Sequence, residues 1–416
     1  MKQAGKVRVD LAIAVGMLIA VLAMAGGYWW HGYGPMGRSG GSGGQGASSP
    51  VKWEFKGIGP VSGALALGED GTVYAASEDG FVYALDSAGN LQWKFQAGPM
   101  GSGPTIGADG TIYVTNNEER IFAINRTGTQ QWAAGGGPYA DKRIGRIAGA
   151  VDQNYLYTPW RGQMRAIRLT TGVFSWSAGM GFGTNCTVSI LPNGLIVYEG
   201  VGRVDAVFDE GRTVWQYPAI DPPLTVDTLT RNGGHPPRGN FWLESGVAVG
   251  SDGTMYAGAS DSRMVALSAG GALLWEFKTK ARSINKAGPV IAADGTLYFG
   301  SGDASLYALN SDGTQKWVVD TGWPIAASPM LAEDGTVYVV NDVALMAVSP
   351  EGKVIAKVDV SAGGESAPTL GPDGTIYVGT RGGKIVAFAG THGALMKSAW
   401  PKFQGDLANS GRAQAF

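Results

Sequence analysis

Three histidines, one cysteine and a recurrent Asp-Gly pair are the parts of this chain whose types and spacing invite a chemical reading. His31, His235 and His392 stand far apart, so no pair has the short spacing by which a zinc site gathers its ligands. Cys186 is alone, which excludes a disulfide or a cysteine cluster within these 416 residues. The Asp-Gly pairs look superficially like calcium loops, but none has alternating Asp or Asn ligands and a closing Glu. They read as turn chemistry: the Asp side chain bonds its own backbone and Gly takes a positive φ at little cost. No glycine-rich stretch precedes a helical pattern, so a phosphate cradle is not indicated, and nothing marks a Ser-His-Asp triad. A net charge of −2 supplies no global field for nucleic acid or anionic lipid.

The Asp-Gly pairs matter through their period. They occur at Asp70-Gly71, Asp109-Gly110, Asp252-Gly253, Asp294-Gly295, Asp334-Gly335 and Asp373-Gly374, with Asn154 and Asn193-Gly194 at the equivalent places of two divergent copies. Eight copies spaced by roughly 40 residues fall in the range of propeller blades. In the clearest copy, Gly288 to Trp317, a small-residue apolar strand leads into the Asp-Gly turn. Thr296-Leu297-Tyr298 begins a second strand, Leu306 to Leu309 forms a third, and a turn at Ser311-Asp312-Gly313 leads to a fourth carrying Trp317. Four strands joined by short turns make one antiparallel blade, and no helical pattern intervenes to suggest a parallel sheet.

Trp93, Trp132, Trp176, Trp215, Trp275 and Trp317 occupy the fourth strands of their copies, where a large ring can bury against the next blade. Copy seven has Ala356 at this place, and copy eight has Met396 nearby. Val51-Lys52-Trp53-Glu54-Phe55 is a fourth strand without a first three, so the expected fold is all-β. It is an eight-bladed propeller whose last blade is completed by the N-terminal strand, with Trp53 as its blade-docking ring.

The segment Ala166 to Trp176 (Ala-Ile-Arg-Leu-Thr-Thr-Gly, then Trp176) resembles the tryptophan-docking motif of the PQQ-like repeat family, the quinoprotein alcohol dehydrogenase-like propellers, with Arg168 where the motif has Asp. The tail Trp400-Pro401-Lys402-Phe403-Gln404-Gly405-Asp406 through Gly411-Arg412 resembles a segment found at one end of such proteins. The resemblance spans about residues 51–412. It implies two quite different activities. A PQQ dehydrogenase of this family holds a calcium-bound quinone with carboxylate and amide ligands and a pair of adjacent cysteines. Glu244, Glu365 and Asn185 could stand near the channel, but there is no second cysteine and none of the long insertions that cover the family's active site. The chain is also similar to the non-catalytic propeller lipoproteins of outer-membrane assembly, although no lipid-acceptor cysteine follows its apolar run. The expectation is therefore a non-catalytic envelope scaffold without cofactor or metal. A PQQ oxidoreductase and a surface carbohydrate-binding or adhesion module are the alternatives.

The rest of the organisation follows from composition. Residues 1–31 carry a basic start (Lys2, Lys6, Arg8) and an apolar run from Leu11 to Trp30. This reads as a signal peptide cleaved near Ala25 or as an uncleaved transmembrane anchor; the length of about 20 residues favours the anchor. Either way, the rest of the chain is expected outside the cytoplasm, in the periplasm or on the cell surface. Residues 32–50 form a Gly/Ser-rich tether, and residues 51–416 form the propeller, expected to be monomeric.

One stretch departs strongly from the repeat: residues 217–243, an insertion between copies four and five. Aligning the copies on the Asp-Gly turn places Arg143, Arg146, Asn185, Cys186, Glu244, Lys286 and Glu365 at or near one mouth of the channel. The insertion contributes His235, Arg238 and Trp242 on the same side. Loops between second and third strands add Trp160 and Arg161 there, with Arg120, Arg203, Arg263, Arg381 and Lys384. Arginines around aromatic anchors are the residue types enriched where proteins bind proteins, so this face is the expected partner surface. The acids Glu118, Glu119, Glu199 and Asp261 among them also permit simple ion pairing. The Asp-Gly face is expected to be inert.

Overall fold

Each Asp-Gly pair turns the chain back on itself. In the first, Asp70 Oδ1 accepts the Thr72 N–H at 3.0 Å and Gly71 adopts φ +80°. The turn geometry matches the right-handed twist of the strands on either side, so a hairpin follows. The computed structural model describes residues 50–135, 149–160, 163–179, 187–200, 203–217, 245–259, 262–280, 288–360, 363–364, 366–390 and 392–414. These residues form eight four-stranded antiparallel sheets. Among them no helix is long and apolar enough to cross a membrane. The N-terminal apolar run, with its expected helix, and the 217–243 insertion lie outside the described residues, apart from Tyr217, which ends a strand.

Blades 1 to 7 are continuous in sequence. Blade 6, for example, runs through Val290–Ile291, Leu297–Gly300, Ser305–Leu309 and Gln315–Asp320. Blade 8 is assembled from both ends of the propeller: Thr369–Leu370, Ile376–Gly379 and Lys384–Phe388 come from one end and Val51–Lys56 from the other. The closing strand pairs antiparallel with the third, Trp53 opposite Ala387 and Phe55 opposite Ile385. Lys52 extends to Asp373, 3.2 Å away across 321 residues of sequence. Second and third strands are almost wholly buried on both faces, while fourth strands alternate between half-buried and exposed. The core is therefore a ring of inter-blade layers.

Tryptophan joins most of these layers. In every fourth strand the docking residue lies opposite an alanine of the third, as with Ala308 and Trp317 or Ala84 and Trp93. The small alanine leaves the ring free to reach the next blade. There it lies flat on the glycine of the turn between third and fourth strands: Trp53 on Gly89, Trp93 on Gly128, Trp132 on Gly172, Trp176 on Gly211, Trp215 on Gly271, Trp275 on Gly313 and Trp317 on Gly352. A Cβ on any of these glycines would approach the ring to between 2.5 and 2.9 Å, and all have positive φ, so only glycine fits. Six of the seven indoles also donate to a carbonyl of that turn, as Trp275 does to Ser311 O at 2.9 Å. Trp176 has no such acceptor.

Blade 7 has Ala356 in this register, opposite Ala347. The cause is topological. Its ring would have to dock on a turn between the third and fourth strands of blade 8, and those two strands come from opposite ends of the propeller, so that turn does not exist. Tyr338, whose counterparts in most other blades meet a docking tryptophan, here faces His392 at 6.2 Å. Met396 belongs to the C-terminal tail and bonds through its N–H to Leu331 O.

Candidate functional site

The two ends of the channel differ. At the Asp-Gly end the C-terminal tail crosses the opening and binds the innermost strands. Leu67, Ile106, Val151, Ile190, Ile291 and Leu331 each donate a backbone N–H to it, at 2.7 to 2.9 Å, accepted by Leu407, Ala408, Ser410, Gly411, Trp400 and Pro401. Six of the eight blades are thereby tied to one segment. Gln414 N–H returns to Ala399 O at 3.0 Å and closes the tail into a loop.

Lys402 organises the tail from within. It is fully buried, and its ammonium donates to Phe403 O and Asp406 O, both at 3.0 Å, and to Asn409 Oδ1. Asn409 in turn donates to Pro104 O at 2.9 Å, coupling the tail to the blade 1–2 connection. Burial pushes the Lys402 pKa down to about 8, against the opposing field of Asp406. Two grooves flank the tail. One, of about 520 Å³, is lined by Asp70, Arg126, Asp152 and Arg412; the other, of about 470 Å³, by Leu395, Met396, Pro401 and Leu407.

The opposite end is where the blades depart from their repeat. In blade 1 the second and third strands stop at Ala76 and restart at Phe81, and Asp79 caps the loop by accepting from Phe81 N–H at 3.0 Å and from the Tyr83 hydroxyl at 2.8 Å. Blades 3 and 4 instead continue their strands to a two-residue connection, with Trp160 opposite Gln163 and Gly200 opposite Arg203. Each thus has three strand pairs beyond the one that matches Tyr74 and Ala84, as blade 1 has, but closes with two residues where blade 1 uses three.

The blade 3 hairpin carries a stacked cluster. The Arg165 guanidinium lies 4.0 Å over Trp160 and 4.6 Å over Phe174, whose ring centres are 5.1 Å apart. Each cation–ring contact contributes on the order of 0.5–2 kcal/mol. Trp160 is half-buried and donates through its indole N–H to Glu119 O of blade 2 at 3.1 Å. Gly135 makes room: a Cβ there would stand 2.6 Å from that same carbonyl. In blade 4, Asp205 is fully buried between Arg203 Nε at 2.7 Å and Gln216 Nε2 at 2.5 Å. Burial raises the Asp205 pKa, and Arg203 opposes this. The Tyr198 hydroxyl and Arg203 converge on Gly179 O at 3.2 and 3.4 Å, fixing blade 4 to the end of blade 3.

Other mouth cations are also paired. Arg263 meets Glu276 at 2.6 Å, Lys384 meets Glu54 at 3.6 Å and Arg381 meets Asp342 at 3.7 Å. Of the expected partner-surface residues, Trp160, Arg120, Arg203, Arg263, Arg381 and Lys384 are within the described residues. Arg143, Arg146, Arg161, His235, Arg238, Trp242, Glu244, Lys286 and Glu365 lie outside them. Arg165, Phe174 and Asp205 are contributors that sequence reading passed over. The signal near them was the short Arg161-Gly162 and Val201-Gly202 connections, which imply tighter hairpin turns than the repeat. Among the described residues, no group of three or more His, Cys, Asp or Glu side chains could hold a metal ion; His392 Nδ1 instead lies 2.6 Å from Asp334.

Residues 36–190 and 199–368 match the family model described as outer membrane protein assembly factor BamB. No curated protein sequence matches the chain. Among solved structures, the crystal structure of BamB from Moraxella catarrhalis superposes with a TM-score of 0.63 at 14% identity, covering 82% of this chain and 98% of that one. The computationally designed Ika8 protein superposes equally well, with a TM-score of 0.63 at 12% identity, covering 80% of this chain and 97% of its own. At such identities these likenesses establish the fold alone.

Proposed function

Because the chain belongs to the PQQ-like repeat family whose model is the outer membrane assembly factor BamB, we propose that it is a non-catalytic scaffold of the cell envelope. It presents the channel mouth around blades 3 to 5 to a protein partner. The observation that carries this reading is the difference between the two ends. The Asp-Gly end is covered by the chain's own tail, while the mouth holds the tightly turned hairpins of blades 3 and 4 with their buried polar and stacked clusters, and the strand of blade 4 from which the large insertion departs ends there. The Trp160–Arg165–Phe174 stack and the Asp205 network hold those hairpins still. A rigid platform of this kind lets a partner bind at a lower entropic cost. Arg143, Arg146, Arg161, Arg238 and Trp242 are the proposed contact residues, with His235, Glu244, Lys286 and Glu365 at the rim. The apolar run from Leu11 to Trp30 exports the propeller and tethers it to the membrane through the Gly/Ser segment.

The test is affinity capture of the full chain from its native envelope. Replacing Arg143, Arg146, Arg238 and Trp242 together by alanine is expected to abolish capture with an unchanged melting temperature. Retained capture overturns the assignment. So does an equal loss when the exposed Glu69 and Glu210, on the Asp-Gly face, are replaced instead.

A further inference from the structure

The mouth between blades 6 and 7 carries a tryptophan that the fold does not use. The fourth strand of blade 6 ends at Asp320, and residues 321–329 lead to the first strand of blade 7, Met330–Leu331. The connection from blade 1 to blade 2, residues 97–104, is fastened by equivalent bonds. Thr321 and Ala97 donate their N–H groups to Ala304 O and Gly80 O at 2.8 and 2.9 Å, and Ile325 and Met100 donate theirs to Ser301 O and Ser77 O at 3.2 and 3.3 Å. Ile325 and Met100 are both wholly buried. Between these anchors blade 1 has Gly98-Pro99, whereas blade 6 has Gly322-Trp323-Pro324. The connection from blade 8 to blade 1, anchored by Val61 N–H on Thr380 O at 3.0 Å, has Gly59 in the place of Trp323. The Trp323 indole is 47% exposed, and no other tryptophan among the described residues is exposed. Its backbone is nonetheless fixed. Gly322 N–H donates to Asp320 Oδ1 at 2.7 Å, and the Thr321 hydroxyl lies 2.8 Å from Ala304 O and 2.9 Å from Trp323 O.

Carboxylates flank this loop. Asp320 precedes it, Asp303 adjoins Ala304 in the blade 6 hairpin, and Asp342 follows Asn341, whose side-chain amide lies 3.5 Å from Thr321 O. Asp342 is shared with Arg381, 3.7 Å away. Asp303 and Asp320 have no ion pair among the described residues. Asp303 accepts from Ser305 N–H at 3.1 Å and from the Tyr307 hydroxyl at 2.8 Å, both neutral donors, so its charge stays uncompensated. We propose that Trp323, with Asp303 and Asp320, receives an arginine side chain of a protein partner. A guanidinium stacks flat on an indole and bonds carboxylates through its edge, so it uses both features at once. The indole is already held, so seating the arginine requires little further ordering of the loop. The proposal rests on the reading of the mouth as the partner surface and extends it across the channel. The footprint then has two signs: arginines at blades 3 to 5 (Arg143, Arg146, Arg161 and Arg238) and carboxylates with an indole at blades 6 and 7. A partner of the opposite polarity fits such a footprint in one orientation, which is how charge confers register.

The experiment is fluorine NMR of the full chain in mild detergent, labelled with fluorotryptophan, with the Trp323 resonance identified by its loss in Trp323→Phe. The probe is a blocked Gly-Arg-Gly-Arg-Gly peptide. The Trp323 resonance is expected to shift saturably while the docking tryptophans stay in place. Asp303→Asn with Asp320→Asn keeps the oxygens that cap the turns but removes the charges, and should weaken the apparent affinity about tenfold. Asp209→Asn with Asp312→Asn, on the Asp-Gly face, should leave it unchanged. No shift at any peptide concentration, an equal shift with Gly-Glu-Gly-Glu-Gly, a shift with chitotetraose instead, or an affinity indifferent to Asp303→Asn with Asp320→Asn overturns the inference. A silent Trp323 resonance beside capture that still depends on Arg143, Arg146, Arg238 and Trp242 overturns this inference alone and leaves the mouth standing as the partner surface.

Discussion

Seven seams of the ring are fastened by an indole lying on a turn glycine, and the eighth, between blades 7 and 8, is not. The two kinds of seam teach that docking is a property of the turn as much as of the tryptophan. Where chain connectivity removes the turn, the ring has nothing to rest on, and a small residue replaces it. The eighth seam is held by other means. The strand Val51–Lys56 completes blade 8 and docks Trp53 on blade 1, and the tail binds Leu331 of blade 7 and Leu67 of blade 1 on either side of blade 8.

This comparison can be broken at several points. The largest effect is expected from deleting Val51–Lys56, which removes a complete ladder, the Lys52–Asp373 contact and the Trp53 dock. With backbone bonds contributing about 1 kcal/mol each and the buried ring about 3 kcal/mol more, the deletion should cost several kcal/mol. A melting temperature within a few degrees of the parent would contradict it. Next, Trp275→Ala should destabilise by about 3 kcal/mol in urea unfolding, whereas Ala356→Trp should gain nothing, having no glycine to lie on. A gain from Ala356→Trp comparable to the loss at Trp275 would show that the turn is dispensable. The third effect is pH-dependent. The Lys402 pKa is about 8 in the fold against an ordinary 10.5, so the folded state releases its proton first as pH rises. Stability from this group therefore increases from about pH 8 upward, by about 2 kcal/mol at pH 9.5, and is least below pH 8. Lys402→Met should abolish that rise; an unchanged slope of urea midpoint against pH would refute the role given to burial.

Blade number, strand order and the closing strand were legible because each rests on a local necessity repeated many times. A hairpin needs Asp-Gly or its equivalent, and Trp53-Glu54-Phe55 matches Trp275-Glu276-Phe277 closely enough to identify an orphan fourth strand. The tail's position was not legible. Its partners are innermost-strand N–H groups, and every residue but proline has one, so no side-chain pattern marks where Leu407 or Ser410 will bind. Trp160 was legible as a mouth aromatic, yet its bond to Glu119 O depends on a tighter hairpin turn than the repeat predicts and on a neighbouring blade. Lys402 was passed over because a lysine between Pro401 and Phe403 has no periodicity to announce burial.

The contact between Lys52 and Asp373 also has a consequence for synthesis. A chain synthesised N-terminus first presents Val51–Lys56 long before its partner strand Lys384–Phe388 arrives. Seven blades can form in order while this segment waits without a partner, and the tail can settle only when the inner strands it binds are in place. Contacts of such sequence separation are slow to form because the loop must close before it is rewarded. The rate at which the protein matures should therefore be governed by its last thirty or so residues, and a truncation there would accumulate an open, blade-complete intermediate rather than an unfolded chain.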